Sequence, residues 1–395
     1  MRVLVFNAGS SSLKFDLFDG AAGPQPVRLA DGAVKSIGAS AELRFRAAGS
    51  EPVTLAEPLA SHDDAARRAF DLLAATTTGT IDAVGHRVVH GGSAFSRPTR
   101  VDGGVLAAIE AVSGFAPLHN ATALAVMAVA RERLPATVPM VATFDTAFFR
   151  ELPEIAATYP LPRDLAQRHG IRRFGFHGLA HRFMAERFAE RTGQPGARLI
   201  TLQLGSGCSA TATAGGRPLD TSMGFTPLEG LMMATRSGDI DPSLPAVLAE
   251  KEGASLKDVD DWLNTRAGLL GVSGLSGDVR DLLKAEREGE ANAALALALF
   301  CYRVRKYVGA YLAVLGGADG LVFGGGIGEN SPAIRARCCA GLEWAGIGID
   351  AGLNTAATGS EAEITAADAA TRCFVLPVDE ASLIAKDTLD CLEAV

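Results

Sequence analysis

The feature that most restricts the fold is a strand–turn–strand pattern that occurs near the start of each half of the chain. Residues 1–20 read as a strand, a turn rich in glycine and serine, and a second strand. Residues 198–220 repeat that order around the turn GSGCS, and the two turn glycines, Gly9 and Gly205, lie half a chain length apart. Hairpins are common, so this recurrence leaves an internal duplication and a chance repeat both open.

Strand and helix patterns alternate through the rest of the chain. Hydrophobic periodicity predicts strands over 81–90, 138–144 and 320–323, β-hairpins within 20–58, and helices over 62–74, 105–114, 121–134, 178–192 and 241–252. Residues 283–315, which are rich in Ala and Leu, predict one continuous helix. This alternation predicts an α/β fold.

Composition excludes several classes of protein. The net charge of −8 makes the chain a poor general binder of nucleic acid or anionic membrane. No apolar stretch is long enough for a transmembrane helix, and the apolar run at residues 3–6 is too short for a signal peptide. Six cysteines without a C-x-x-C pair predict free thiols. We therefore expect a cytoplasmic protein.

Three familiar motifs fail on inspection. Residues 205–210 match G-x-G-x-x-A, but an alternating strand pattern follows where a dinucleotide-binding fold needs a helix. No Gly-Lys pair exists, which excludes a Walker A loop. The pairs His86/His90 and His177/His181 have zinc-motif spacing, but neither has the Glu that H-E-x-x-H requires after its first histidine.

The excess of glycine points to anion binding. The chain has 44 glycines yet is 48% hydrophobic, so glycines must occupy special backbone positions in a packed protein. Each Gly/Ser turn can direct backbone N–H groups at a phosphate, and residues 324–330 (GGGIGEN) form a third candidate loop. Taken singly, each turn can equally be an ordinary hairpin. Three such loops around one cleft, with Arg87 and Arg236 in glycine-flanked segments, predict phosphoryl transfer, although either arginine alone can be a structural ion pair.

The chain resembles the acetate/propionate/butyrate kinase family. The matching strings span nearly its whole length in order: NAGSSSLKF (7–15), HRVVHGG (86–92), APLHN (116–120), FDTAFF (144–149), FGFHGLAHR (174–182), DTSMGFTPLEGLMMATRSGDIDP (220–242), SGLSGDVRDL (273–282), FGGGIGEN (323–330) and DEASLIAKDT (379–388). The resemblance implies two duplicated actin/hexokinase-like (ribonuclease H-like) α/β domains with the active site in the cleft between them. The N-terminal actin-like ATPase domain would comprise 1–147 plus 383–395, and the C-terminal nucleotide-binding domain 148–382.

The resemblance also implies roles for individual residues. Asp145, His177, Arg236 and Arg87 would be catalytic, and Asn7 and Glu380 would hold Mg²⁺ (Mn²⁺ substituting), directly or through water. The substrate would contact Arg87 and an apolar set, Val89, Leu118, Phe176 and Pro227. ATP or ADP would contact the first turn and three further loops, namely Ser10, Ser12 and Lys14, then Gln203, Leu204, Gly205, Ser206 and Gly207, then Asp278, Val279 and Arg280, then Gly325, Gly326, Ile327, Gly328 and Glu329.

The implied activity is reversible, Mg²⁺-dependent transfer of the ATP γ-phosphate to acetate by direct in-line displacement. A carboxylate substrate is already ionised near neutral pH, so Asp145 is interpreted as a positioning or Mg²⁺-linked group rather than a base. Alternatives are the same chemistry on propionate or butyrate, or a nucleotide-binding regulator with weakened catalysis. The resemblance implies a homodimer whose partners are acetate and ATP, with no nucleic acid or membrane.

Four residues depart from the family pattern. The second phosphate loop usually reads HLGNG, but Gln203 and Ser206 replace its His and Asn. Ala234 stands where Gly is usual, and Asp379 replaces the first residue of an N-E-E string. These departures bear on the phosphate donor and on the rate more than on the type of reaction.

Overall fold

The computed structural model describes residues 1–9, 11–20, 25–38, 40–76, 79–115 and 117–394, without the side chains of Phe115, Pro117 and Leu118. Ser10 therefore lies outside the described residues. The chain forms two compact units. Unit 1 comprises Met1–Arg150 with Asp379–Val395, and unit 2 comprises Glu151–Val378.

Unit 1 is built on an eight-stranded sheet. Its strands are β1 (Arg2–Ala8), β2 (Ser12–Asp19), β3 (Val27–Lys35), β4 (Ser40–Ala47), β5 (Val53–Pro58), β6 (Ala83–Val88), β7 (Thr99–Arg100) and β8 (Met140–Phe144). They lie in the order β5-β4-β3-β2-β1-β6-β8-β7. The first five strands are antiparallel neighbours, whereas β1, β6 and β8 run parallel.

Helices α1 (His62–Thr76), α2 (Gly103–Ala111) and α3 (Pro117–Arg133) belong to unit 1, with 3₁₀ turns at Ser113–Phe115 and Asp145–Glu151. The apolar face of α1, which includes Phe70, packs on one sheet face beside Phe6 with ring centroids 5.6 Å apart. Buried side chains of the strands and these helices form one hydrophobic core, which is the main source of stability in this unit.

Unit 2 carries a six-stranded sheet. Its strands are β9 (Arg198–Leu204), β10 (Cys208–Ala214), β11 (Arg217–Thr221), β12 (Gly320–Gly324), β13 (Ala362–Glu363) and β14 (Arg372–Val375), in the order β11-β10-β9-β12-β14-β13. Its helices are α4 (Glu154–Ala157), α5 (Arg163–Arg168), α6 (Gly178–Thr192), α7 (Leu244–Glu252), α8 (Leu256–Thr265), α9 (Gly268–Ser273), α10 (Val279–Arg287), α11 (Ala291–Leu315), α12 (Gly325–Asn330), α13 (Pro332–Cys339) and α14 (Ala351–Ala356). A 3₁₀ turn covers Glu343–Ala345. The chain ends with α15 (Glu380–Glu393), which packs on β1 and β6 of unit 1.

The two sheets share one topology. In unit 1 the path β3-β2-β1-β6-β8-β7 has two antiparallel pairs, two parallel pairs and a final antiparallel pair. The whole sheet of unit 2 has the same sequence of pairings. In both sheets the last strand of this path, β7 in unit 1 and β13 in unit 2, precedes its neighbour in the chain. A chance repeat of one hairpin does not produce this agreement across six strands. The predicted α/β class and the internal duplication are therefore confirmed.

Two local predictions are wrong. The helix predicted over 283–315 is interrupted because Gly289 has φ +97°, so α10 ends at Arg287 and α11 begins at Ala291. The segment 324–330, predicted as a loop, forms helix α12.

The other predicted helices and strands are present, with ends shifted by a few residues. All six cysteines are free, as predicted. Within the described ranges, no helix combines the length and the apolar character needed to cross a membrane.

Candidate active site

Three neighbouring parallel strands of unit 1 carry polar residues at their carboxyl ends. The register pairs Phe6 of β1 with His86 of β6, and Val88 of β6 with Phe144 of β8. Asn7 and Arg87 come directly after the first of these pairs, and Asp145 comes directly after Phe144, two positions beyond Thr143, the register partner of Arg87. Ligand sites of α/β proteins lie at this edge of a sheet, so the topology gathers the predicted polar residues where a site is expected.

A hydrogen-bonded network joins these residues to the start of α15. Arg87 donates to both carboxylate oxygens of Asp145, from Nε at 3.0 Å and from Nη2 at 2.6 Å. Its Nη1 donates to the Asn7 side-chain oxygen at 3.0 Å and lies 3.6 Å from Oε2 of Glu380. The Asn7 amide donates to that same Oε2 at 2.6 Å. Four predicted site residues therefore form one cluster.

Burial makes this cluster electrostatically strong. Asp145 is fully buried and the Arg87 side chain is 13% exposed. Burial by itself lowers the pKa of Arg87, but Asp145 and Glu380 outweigh it and leave the pKa raised, so the guanidinium stays charged. Its two-point contact with Asp145 fixes the guanidinium plane and leaves an ordered cation beside two carboxylates and an amide oxygen.

The first Gly/Ser turn joins β1 to β2. The Gly9 N–H donates to the Ser12 carbonyl at 2.8 Å, and the Gly9 carbonyl binds His62 Nε2 at 2.8 Å. Lys14, opposite Asn7 in the hairpin register, is exposed. His62 was not predicted as a site residue, because a histidine at a helix start carries no signal for a partner 53 positions earlier.

The predicted apolar substrate residues of unit 1 are only partly described. Val89 is buried. The Asn120 side chain binds the backbone of the next residue, His90: it accepts a hydrogen bond from the His90 N–H at 3.0 Å and donates one to the His90 carbonyl at 2.9 Å. Leu118 lies in α3, but its side chain is outside the described part of the structure. Asn120 was also not singled out, although it closes the string APLHN.

In unit 2, a chain of hydrogen bonds orients His177. Its Nδ1 lies 2.9 Å from the Ser209 hydroxyl, which lies 2.7 Å from Nε2 of His181, and His181 Nδ1 lies 2.7 Å from the Thr201 hydroxyl. Burial lowers the pKa of His181 to about 3, so this ring is neutral at neutral pH. The His177/His181 pair that suggested zinc spacing thus shares a serine hydroxyl. Ser209 had no sequence signal of its own.

Arg236 lies against the second Gly/Ser turn. A Cβ on Gly207 would come within 2.7 Å of Arg236 Nη2 and 3.3 Å of His177 Nε2, so an alanine there would have to displace the end of the Arg236 side chain and would crowd the His177 ring. Arg236 Nη1 donates to the Pro227 carbonyl at 2.6 Å, and no carboxylate in the described residues forms an ion pair with it. Burial lowers its pKa. A partly buried cation of this kind is suited to receive an anion.

Three loops of unit 2 surround a cavity of about 720 Å³. Its lining includes Gly205 and Ser206 from the second turn, Asp278, Val279 and Arg280 at the start of α10, and Gly326 and Ile327 of α12. The other predicted nucleotide residues of unit 2 (Gln203, Leu204, Gly207, Gly325, Gly328 and Glu329) flank these in the same loops. The sequence did not single out Leu283 or Ser331–Ala333, which complete the wall.

The glutamate of GGGIGEN has a structural role. Glu329 Oε1 accepts from the Gly325 N–H at 2.9 Å and from the Val378 N–H at 3.0 Å, and so closes the first turn of α12. Gly325 has φ +76°, and a Cβ there would meet the Leu204 carbonyl at 2.6 Å. Phe176, which directly precedes His177, is buried. The Pro227 carbonyl accepts the hydrogen bond from Arg236.

Comparison with known proteins finds one family along nearly the whole chain. The model of the Acetokinase family matches residues 2–386. Acetate kinases of Solibacter usitatus and Methanosarcina thermophila are each 44% identical to the chain, over 99% and 100% of its length and 98% and 97% of theirs.

Solved structures give the same result. The acetate kinase of Porphyromonas gingivalis superposes with a TM-score of 0.90 at 39% identity, covering 99% of both chains. A propionate kinase of Francisella tularensis superposes with a TM-score of 0.91 at 36% identity, covering 98% of this chain and 99% of its own. With a family model that matches residues 2–386 and relatives similar in sequence and fold over nearly the whole chain, the chain belongs to the acetokinase family.

Proposed function

We propose that the protein is an acetate kinase, which transfers the γ-phosphoryl group of ATP reversibly to acetate and forms acetyl phosphate and ADP. The observation that carries the proposal is the Arg87 network, in which an ordered guanidinium lies beside Asp145, Asn7 and Glu380 at the carboxyl ends of parallel strands. The full-length similarity to proteins named acetate kinase supports the same reaction.

The proposed chemistry needs no general base. An acetate oxygen is already anionic and attacks the γ-phosphorus in line, while the bond from that phosphorus to the ADP oxygen breaks and ADP leaves. Arg87 binds the acetate carboxylate and phosphoryl oxygens, and Asp145 keeps its guanidinium plane fixed. His177 and Arg236 stabilise charge on the transferring group, which is the principal demand of phosphoryl transfer.

The donor atoms of unit 1 suit Mg²⁺. Asn7 and Glu380 offer an amide oxygen and a carboxylate, which are the hard ligands that Mg²⁺ prefers. Among the described residues no group of three or more His, Cys, Asp or Glu side chains is arranged to hold a metal ion, and Mg²⁺ is commonly held by one or two protein groups together with substrate phosphates. We propose that Asn7 and Glu380 hold Mg²⁺, with Mn²⁺ as a substitute. The bound ion would neutralise phosphate charge.

The nucleotide is assigned to the cavity of unit 2 and to the first turn. The cavity has the size of a small-molecule site, and its glycine-rich walls let a flat base approach the backbone. We propose that Ser10, Ser12 and Lys14 contact the phosphates. Val89, Leu118, Phe176 and Pro227 are proposed to contact the acyl methyl group.

The test is an acyl hydroxamate assay with ATP, Mg²⁺ and hydroxylamine, run in parallel on acetate, propionate and butyrate. We expect product with acetate at the highest kcat/KM. An added methylene changes binding to an apolar pocket by only about 1–3 kcal/mol, so a preference for propionate would favour the alternative suggested by the propionate kinase relative. Nucleotide binding without product from any of the acids would overturn the proposal in favour of a regulator.

A test variant with its matched control, and two further phosphate donors, make the assay more specific. Arg87→Gln should abolish product, whereas Arg68→Gln, which removes an ion pair with Glu57 in the same unit, should not. GTP and pyrophosphate as alternative donors test what Gln203 and Ser206 change at the phosphate loop.

We further propose a cytoplasmic homodimer with two domains. The domain limits predicted from the sequence, 1–147 plus 383–395 and 148–382, differ by three and four residues from the limits of the two compact units, which place Glu380 in unit 1. Six free cysteines, five of them buried, suit a reducing compartment. Light scattering on the eluting protein should give about twice the 40.9 kDa mass of the chain, and a monomeric mass at assay concentrations would contradict the dimer.

A further inference from the structure

We propose that Arg28 is a positioning residue that holds the carboxylate of Glu380 at its place beside Asn7 and Arg87. It does so by tying Asp379, the residue before α15, to strand β2. The inference rests on the proposed role of Glu380 in holding Mg²⁺ and adds a residue that makes no contact with substrate or metal ion itself.

Arg28 links two carboxylates that are far apart in the sequence. It lies in β3, and its Nε is 2.8 Å from Oδ1 of Asp16, a buried residue of β2. Its Nη2 donates to Oδ1 of Asp379 at 2.7 Å. The guanidinium also lies over the Phe18 ring, 5.0 Å from its centroid. These three contacts leave the side chain little freedom to rotate.

The charges favour this bridge. Burial by itself lowers the pKa of Arg28, but Asp16 and Asp379 outweigh it and leave the pKa raised. Without the guanidinium, two carboxylates would face each other in a partly buried place, which is unfavourable for both.

Asp379 is the N-cap of α15. Its Oδ1 accepts from the Ser382 N–H at 3.1 Å, and its carbonyl accepts from the Ser382 hydroxyl at 2.9 Å. The oxygen that caps the helix is therefore the one that Arg28 binds. Because a cap fixes where a helix begins and how its first turn points, Arg28 controls the orientation of the next residue, Glu380.

Both ends of the arrangement lie on the hairpin formed by β1 and β2. Asp16 lies two residues from Lys14 on β2, and Lys14 is opposite Asn7 in the register with β1. The Arg28 bridge thus fixes the start of α15 to the hairpin that supplies Asn7, whose amide donates to Glu380 at 2.6 Å. If the bridge is removed, Glu380 should move relative to Asn7 while the Arg87–Asp145 pair is retained.

The experiment compares wild type with Arg28→Met, Arg28→Lys and Asp379→Asn. For Arg28→Met we expect the KM for Mg²⁺ to rise about fivefold or more and the KM for acetate to stay within twofold, because only the metal-linked carboxylate is displaced. Arg28→Lys should recover part of the loss. Asp379→Asn keeps a capping oxygen but weakens the bond to Arg28, so it should shift the KM for Mg²⁺ in the same direction by less.

A binding measurement makes the test independent of turnover. The Kd for Mn²⁺ in the presence of ADP, measured from the free-ion paramagnetic resonance signal, should rise in parallel with the KM for Mg²⁺. The double variant Arg28→Met/Asp379→Asn should bind Mn²⁺ no more weakly than Arg28→Met alone, since both changes break the same contact between Arg28 and Asp379. Arg68→Met is the matched control, because it removes an ion pair of similar exposure in the same unit, and it should change neither constant.

Two results would overturn the inference. One is an unchanged Kd for Mn²⁺ in both Arg28→Met and Asp379→Asn, and the other is an equal rise in the KM values for Mg²⁺ and acetate. If Arg28→Met does not fold, Asp379→Asn decides alone. A wild-type protein without acyl phosphate formation would refute the proposed function, whereas the Mn²⁺ measurement would still decide the role of Arg28.

Discussion

At the scale of single residues, the two candidate arginines have opposite surroundings. Arg87 forms a two-point ion pair with a fully buried aspartate. Arg236 is bound to a backbone carbonyl, and no described carboxylate neutralises it. A partly buried cation without an acid partner is unfavourable to the folded protein, so Arg236 is the one of the two arginines whose presence is better explained by an anion that binds there.

This difference predicts separate effects on activity and stability. Arg236→Met should lower kcat about 100-fold or more and change the free energy of unfolding by at most about 1 kcal/mol, because a lost hydrogen bond is offset by a buried charge removed. Arg173→Met is the comparison, since Arg173 pairs with Glu229 and with two carbonyls. It should destabilise the protein by about 2–3 kcal/mol. Kinetics and urea unfolding measure both.

The opposite pattern would identify Arg236 as a structural residue. A loss of stability in Arg236→Met as large as that in Arg173→Met, with a proportionate loss of kcat, would show that its main partner is the Pro227 carbonyl.

The residues of the candidate site could be predicted from the sequence, whereas the residues that hydrogen-bond to them and orient them could not. Asn7, Arg87, Asp145 and Glu380 were named from matching strings, and they form one cluster. Ser209, which orients His177, could not be named, because a serine in an alternating strand has the same pattern whether its hydroxyl binds a histidine or the backbone. Partners far apart in sequence are brought together only by the strand register.

At the scale of elements, the two wrong predictions of secondary structure both concern segments in which glycine decides the local conformation. Helix α12 contains three glycines in six residues, which propensity alone disfavours. It forms because Glu329 binds its first N–H and the buried Arg335 donates to the Gly328 carbonyl at 2.7 Å. Tertiary contacts thus override local preference. The opposite error, one helix over 283–315, arose because periodicity continues across Gly289.

Two glycines of this region should respond to alanine in opposite ways. Gly289→Ala should destabilise unit 2 by about 1–2 kcal/mol, because φ +97° strains any residue with a Cβ although no atom obstructs the site. Gly309→Ala, within α11 and also unobstructed, should stabilise it by about 0.5–1 kcal/mol through helix propensity. Urea midpoints measure both, and a stabilising Gly289→Ala would mean that the α10–α11 break relaxes into a continuous helix.

At the scale of the whole molecule, the duplicated topology explains why one motif recurs. Each unit places a Gly/Ser turn between its first two strands, after Ala8 and after Leu204. In the proposed sites, local glycines and two partly buried arginines would bind the anionic ligands, and a chain with net charge −8 would need no basic surface for that purpose. In the sequence this repeat is visible only as one hairpin pair, which leaves duplication and coincidence both open, and the pairing of all six strands distinguishes them.

The division of aromatic residues between the units allows a test of where the nucleotide binds. Both tryptophans (Trp262 and Trp344) and all four tyrosines (Tyr159, Tyr302, Tyr307 and Tyr311) lie in unit 2, so intrinsic fluorescence reports that unit alone. The proposed nucleotide cavity is lined entirely by unit 2. With Mg²⁺ and ADP at about 100 times the Kd, the fluorescence-detected free energy of unfolding should rise by about 2.7 kcal/mol, because ligand binds only the folded state. Sodium chloride at equal ionic strength, which is a ligand of neither proposed site, should leave it unchanged. A fluorescence midpoint that does not move at saturating ADP would place the nucleotide outside unit 2.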